Sequence, residues 1–287
     1  MNITATMVKE LRDKTGAGMM DAKKALVEVD GDMEKAMEVL RQKGMASADK
    51  KMGRIAAEGR IGSFVNETVG AMIEVNCETD FVAKNAEFIE LTNGLAQMVA
   101  ETNPADVDAL LAAVCPKCNK PIAEVIKEKI ASIGEKITVR RFVRYEGNVA
   151  TYIHNGKIGV LLNTDAKDDV LAKDVCLHIA SSAPEFVSRK DIPAHVIEEE
   201  TRIEMGKEDL AKKPEQIRAK IVEGRVNKLM AHRCLVEQPF VKNPEQTIEQ
   251  LISGKFNIVK FDRFVLGEGL EKRNDNFADE VMSQLGK

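Results

Sequence analysis

Apolar residues recur at helical spacing through the first forty positions and then change to short alternating runs. Thr4 can cap a helix carrying Val8 and Leu11, and Gly16-Ala17-Gly18 turns the chain into a second with Ala22, Ala25, Leu26 and Val29. Asp30-Gly31-Asp32 supplies another turn and cap before Ala36, Met37 and Leu40, with Gly44 as the expected stop. These positions predict a three-helix module over 1–44. Residues 45–59, with Lys50, Lys51 and Arg54, are expected to form a basic helical linker.

From Ile61 the pattern predicts strands, and it does so twice. Val69-Gly70-Ala71-Met72-Ile73 matches Ile158-Gly159-Val160-Leu161-Leu162. Each run is the second strand of an expected hairpin, preceded by Ile61–Val65 or Val149–Ile153, with turns at Asn66-Glu67 and Asn155-Gly156. A helix follows each hairpin, ending near Ala100 and Ala180. Arg141-Phe142-Val143 and Arg263-Phe264-Val265 begin two further matching segments, 141–147 and 263–269, expected as closing strands. The fold class expected is therefore α+β, with a duplicated core of antiparallel sheets over 60–147 and over 148–190 with 231–269. The second copy is longer, and 191–230 is the expected insertion. Pro193 and Pro214 stand at first-turn positions, with Ile197, Thr201 and Glu204 as a stripe on one helix. Ile217, Ile221, Val222, Val226 and Leu229 form a stripe on the next. This predicts a coiled-coil hairpin and a candidate contact for a homodimer. A last helix is expected over 270–287, with Phe277, Val281 and Leu285.

Composition narrows the function. The chain has 287 residues, a net charge of −4 and 31% charged residues, with no bulk basic character to hold nucleic acid. No apolar run approaches membrane-spanning length, and Met1-Asn2-Ile3-Thr4 lacks the layout of a signal peptide. Five scattered cysteines suit a reducing cytoplasm. Gly-Lys is never followed by Ser or Thr, so no phosphate loop is present, and the four histidines stand outside any HExxH or nucleophile-elbow pattern. No cofactor and no covalent chemistry are expected. Cys115-Pro116-Lys117-Cys118 stands apart from this picture. An inert loop between helices is the first reading, half of a shared metal site the second, and a redox pair the third.

The most informative segment is Glu74-Val75-Asn76-Cys77-Glu78-Thr79-Asp80-Phe81-Val82-Ala83-Lys84. Thr79 or Asp80 can cap a helical turn that places Phe81 near the surface, as an anchor for a partner pocket. Phe81 also falls in phase with Phe88, Leu91, Leu95 and Met98, so one unbroken helix would make it core. Asn85, a good cap ahead of Phe88, favours a break between the two.

This segment resembles the signature of the elongation factor Ts family, the bacterial guanine-nucleotide exchange factors for elongation factor Tu. Four other stretches agree in order: Leu11–Leu26, Tyr152–Leu161, Glu237-Gln238-Pro239-Phe240-Val241 and Val265-Leu266-Gly267-Glu268-Gly269. The resemblance implies a ubiquitin-associated-type fold for the first three helices and a dimerisation arm for 191–230. It also implies a partner-binding tail and a partner, elongation factor Tu, bound both with GDP and without nucleotide. Asp80, Phe81, Val82 and Ala83 would then disturb the partner's magnesium site. Arg12, Met19, Met20, His154, Asn155 and Gly156 would be docking residues. Such a protein promotes exchange by binding and is not an enzyme of covalent chemistry.

Overall fold

A computed structural model describes residues 3–210 and 213–271; the helix expected over 270–287 lies, from 272 onward, outside them. In chain order the elements are α1 (Ala5–Thr15), α2 (Met19–Glu28), α3 (Met33–Lys51), β1 (Glu58–Val65), β2 (Val69–Cys77), α4 (Asp80–Ala83), α5 (Ala86–Thr102) and α6 (Val107–Ala112). There follow β3 (Val114–Cys115), β4 (Lys120–Pro121), α7 (Ile122–Ile133), β5 (Thr138–Glu146), β6 (Asn148–His154), β7 (Ile158–Thr164) and α8 (Asp169–Ser182). The described chain ends with α9 (Ala194–Met205), α10 (Glu215–Arg233), β8 (Pro239–Phe240), β9 (Asn243–Thr247), α11 (Ile248–Ile252) and β10 (Ile258–Val265). The fold is α+β. Its two larger sheets share one strand order, β1-β2-β5 and β6-β7-β10, with the second hairpin strand central in each. All nine residues of β2 are buried, as a central strand covered on both faces requires.

The chain divides into two compact units. The first comprises Met1–Gly62, Ile73–Phe142 and Val265–Lys287; the second comprises Ser63–Met72 and Val143–Phe264. This boundary differs from the 60–147 division read from the repeat, because it falls inside the long strands rather than at the turns between them.

In the first unit, Thr4 caps α1 by accepting the Met7 N–H, and Asp32 caps α3 by accepting those of Glu34 and Lys35. Val8, Leu11, Ala22, Ala25, Leu26 and Ala36 form the small core these helices share. Gly44 does not stop α3, and the 45–59 segment is not a separate helical linker, since the helix continues to Lys51. A Cβ at position 44 would stand 2.8 Å from the Ala131 Cβ on α7, so the glycine permits close helix packing there.

In the second unit, Val160 and Leu162 of β7 pack with Val175, Cys176 and Ile179 of α8. The β6–β7 hairpin turns through three residues between the paired His154 and Ile158, with Asn155 and Gly156 both at positive φ, 51° and 71°. His178 is fully buried on α8, with Nε2 2.8 Å from the Gln238 Oε1 and Nδ1 accepting the Val241 N–H at 3.2 Å. Burial pushes its pKa down, which keeps the ring neutral, and Phe240 completes the same core. The 237–241 motif is thus a packing motif. Helices α9 and α10 form the expected antiparallel pair around Val222, Val226 and Met230. The stripe expected on α9 is corrected: Ile197 is 39% exposed, while Glu204 turns inward to Lys207 and Arg225.

The segment expected as a closing strand over 263–269 is also different. Strand β10 ends at Val265, and Gly267 turns the chain at φ 68°, where a Cβ would meet the Ala57 carbonyl oxygen at 2.5 Å. The Gly267 N–H donates to the fully buried Glu74 carboxylate at 2.8 Å. Arg140 and Arg141 pair with the same carboxylate at 3.0 and 2.7 Å. Burial pushes the Glu74 pKa up, but the Gly267 N–H and the two guanidinium groups outweigh it and hold the carboxyl below its usual value. A depressed folded-state pKa contributes stability above the unfolded-state value that is lost as pH falls through the folded one. We expect Glu74→Gln to lose about 3 kcal/mol at neutral pH, as for breaking a buried ion pair. Its urea stability should also fall less steeply than wild type as pH drops below the ordinary carboxylate value; parallel pH curves would refute this role.

Candidate functional site

Strand β2 ends at Cys77, and the next seven residues form a corner that points one aromatic side chain into solvent. Thr79 caps α4, its hydroxyl accepting the Val82 N–H at 3.4 Å. Asn85 caps α5 by accepting the Glu87 N–H at 2.8 Å. Two caps so close together break the helix, and the break takes Phe81 out of phase with the buried Phe88. Phe81 is 81% exposed, the most exposed large apolar side chain among the described residues. The core reading of Phe81 is therefore set aside. Ala83 is buried beneath the turn, and Val82 is half-buried.

The corner is held from one side by a reciprocal carboxylate clasp. Gly134, at φ 89°, ends α7 and turns the chain so that Glu135 faces β2. The Glu135 carboxylate accepts the Glu78 N–H at 3.1 Å, the Thr79 N–H at 3.0 Å and the Thr79 hydroxyl at 2.6 Å. In return Glu78 accepts the Lys136 N–H at 2.7 Å and pairs with Arg54 at 3.2 Å. The Cys77 thiol donates to the Thr79 carbonyl at 3.1 Å. Burial first, and the nearby Glu135 charge second, push that thiol up to about 12, so it stays protonated and inert. Asp80 pairs with Lys84 one turn on at 2.6 Å, both largely in water, where such a pair contributes little.

The other expected residues fall in three places. Arg12 lies on α1, paired with Asp13 at 2.7 Å, while Met19 and Met20 open α2 at 47% and 65% exposure. His154, Asn155 and Gly156 form the β6–β7 turn of the second unit, where the Tyr152 hydroxyl stands 3.0 Å from the His154 Nδ1. Cys115 and Cys118 are free thiols on a small β3–β4 hairpin, so the loop expected between α6 and α7 carries a short two-stranded ladder. Among the described residues no group of three or more His, Cys, Asp or Glu could hold a metal ion. No helix among them is long and apolar enough to cross a membrane. Sequence reasoning missed Glu135 and Arg54. The only sequence signal for Glu135 is the glycine before it, a C-terminal helix stop that places the next residue at a turn.

Comparison with known proteins agrees with the motifs. The family model described as Elongation factor TS matches residues 78–268. An Elongation factor Ts from Alkalilimnicola ehrlichii is 48% identical over 290 residues, covering 99% of each chain. One from Chromobacterium violaceum is 49% identical over 282 residues, 97% of each. A third, from Leuconostoc mesenteroides, is 47% identical over 296 residues and covers all of both chains. With the similarity spread over the whole length and an ordered corner at Asp80-Phe81, the chain belongs to the elongation factor Ts family.

Proposed function

We propose that this chain binds elongation factor Tu, with GDP and without nucleotide, and promotes GDP release so that GTP can bind. The observation that carries the reading is Phe81, 81% exposed on a corner fixed by six hydrogen bonds through Glu135 and Glu78. In this reading Phe81 enters an apolar pocket of the partner's nucleotide domain, and Asp80 disturbs the surroundings of its magnesium ion. Val82 and Ala83 would complete the contact. By linkage, a partner that favours the empty state weakens the nucleotide as much as nucleotide weakens the partner.

Magnitudes divide the labour. Burying one phenylalanine contributes about 1.5–3 kcal/mol, whereas a shift of roughly 10⁴ in a two-state population needs about 5.5 kcal/mol. Docking elsewhere must supply the remainder. Met19 and Met20, with Arg12 beside them in the same helical module, are suited to an apolar contact rimmed by charge. The His154–Gly156 turn is a second candidate. The uncovered Ile197, Ile203, Met205 and Ile217 of the helical arm support its reading as a contact between two copies. A working place in the cytoplasm follows from the translation role.

Two substitutions separate the wedge from its mounting. Phe81→Ala should slow stimulated GDP release by about 10- to 100-fold, the loss of one buried phenylalanine. Its melting temperature should stay unchanged, because the ring makes no contribution to the core. Unaltered release in a stopped-flow assay with labelled GDP would overturn the assignment. Glu135→Ala removes three hydrogen bonds from the corner and leaves two amides seeking water, a local cost of about 1–3 kcal/mol. We expect faster hydrogen exchange at Glu78 and Thr79, together with slowed GDP release despite an intact Phe81. Protected amides in this variant would show that the corner is held by something else.

A further inference from the structure

Three chain segments meet at the Glu78 carboxylate, and one of them leads back to the helical module. Helix α3 belongs to that module and packs on α7, where Gly44 admits Ala131 and Lys127 pairs with Asp49 at 2.8 Å. Beyond α3 the chain stays attached to it, since the Arg54 N–H donates to the Lys51 carbonyl at 3.0 Å. From there the Arg54 Nη1 reaches both oxygens of Glu78, at 3.2 and 3.3 Å. Lys136, which follows α7, donates its N–H to the same carboxylate and its Nζ to the Arg54 carbonyl at 2.9 Å. Arg54, Glu78 and Lys136 thus close a ring of contacts between the end of the module, the end of β2 and the end of α7.

This ring is more than a surface pair. An exposed ion pair contributes little, because water competes for both partners. The Glu78 side chain is only 13% exposed, and Arg54 is its one cationic partner among the described residues. Without the guanidinium, a mostly buried carboxylate would lack its counter-charge three residues ahead of Phe81. The Arg54 side chain itself is 52% exposed, so its loss disturbs the corner and leaves the core intact.

A wedge works only where the rest of the protein holds it. Met19 and Met20 on the module and Phe81 on the corner can engage one partner together only if their spacing is fixed. A small misplacement set far from the reacting groups is enough to slow a reaction. We propose that Arg54 is a positioning residue for exchange: by joining the end of α3 to Glu78, it fixes the Phe81 corner relative to the docking helices. This role rests on the exchange reading above, and in it Arg54 acts through Phe81 rather than on the partner.

The test measures stimulated GDP release from elongation factor Tu over a range of concentrations of the full chain. Arg54→Ala should lower the saturating rate about 10-fold, the weight of one charged contact. The half-saturating concentration and the melting temperature should stay as in wild type. Both contacts to Glu78 come from a single nitrogen, so a lysine ammonium can replace them, and Arg54→Lys should restore most of the rate. In a Phe81→Ala background, Arg54→Ala should slow release no further, because a residue acting through Phe81 then has nothing left to position. Equal losses in both backgrounds would instead place Arg54 against the partner, and a wild-type rate in Arg54→Ala would deny it any part. A lowered melting temperature that Arg54→Lys does not restore would reduce its role to folding. Each of these three results overturns the proposal and leaves the exchange reading standing. If the wild-type chain itself leaves GDP release unchanged, the exchange reading falls and this role falls with it.

Discussion

A single carboxylate with no solvent exposure ties together three distant parts of the first unit. Glu74 sits on the central strand, accepts from Arg140 and Arg141 on β5, and takes the Gly267 N–H from 193 residues further along the chain. Asn76 donates to it as well at 3.3 Å. Burying a charge is costly unless donors replace the lost water, and here two guanidinium groups, an amide and a side-chain amide do so. The chain crosses into the second unit and returns at Val265, and the returning segment is held by this carboxylate and by Arg141, which also reaches the Val265 carbonyl at 3.1 Å. The same anchor fixes β2 three residues ahead of Cys77.

From that fixed strand end the corner inherits its direction. A four-residue helix has no stability of its own, because nucleation costs more than one turn returns. Its orientation is set instead by Glu135, which satisfies the amides left free where β2 stops. The clasp is polar and lies behind the turn, so Phe81 can face water without being needed for folding. That separation matters for any binding role. An aromatic already held in position loses less conformational freedom on docking than one carried on a loose loop.

Much of the local structure was legible in the sequence because its causes are local. The Thr4 and Asp32 caps, the Asn66 and Asn155-Gly156 turns and the Asn85 break all act within four residues of themselves. The misreadings share the opposite property. Gly44 looks like a helix stop until Ala131 is placed against it. Glu204 reads as one member of a stripe with Ile197 and Thr201 until Arg225 pairs with it from the next helix, and the 263–269 segment reads as a strand until Gly267 is claimed by Glu74. Neither Glu135 nor the order of the Cys115 hairpin has a sequence period to reveal it. Each depends on a partner from elsewhere in the chain or on a turn too short to carry a pattern.

The same distinction separates motifs that pack from motifs that can act. Resemblance marks five stretches alike, yet their physical situations differ. In 237–241, Gln238 is bonded to a buried histidine and Phe240 lies in the core; in 265–269 the backbone serves Glu74. Both stretches have structural reasons that account for them fully. Phe81 has none, since its ring touches water and the turn beneath it is secured by other groups. A large apolar side chain left exposed on a rigid mount gains nothing for the fold, and this is the physical ground on which the proposed role of Phe81 in a complex stands.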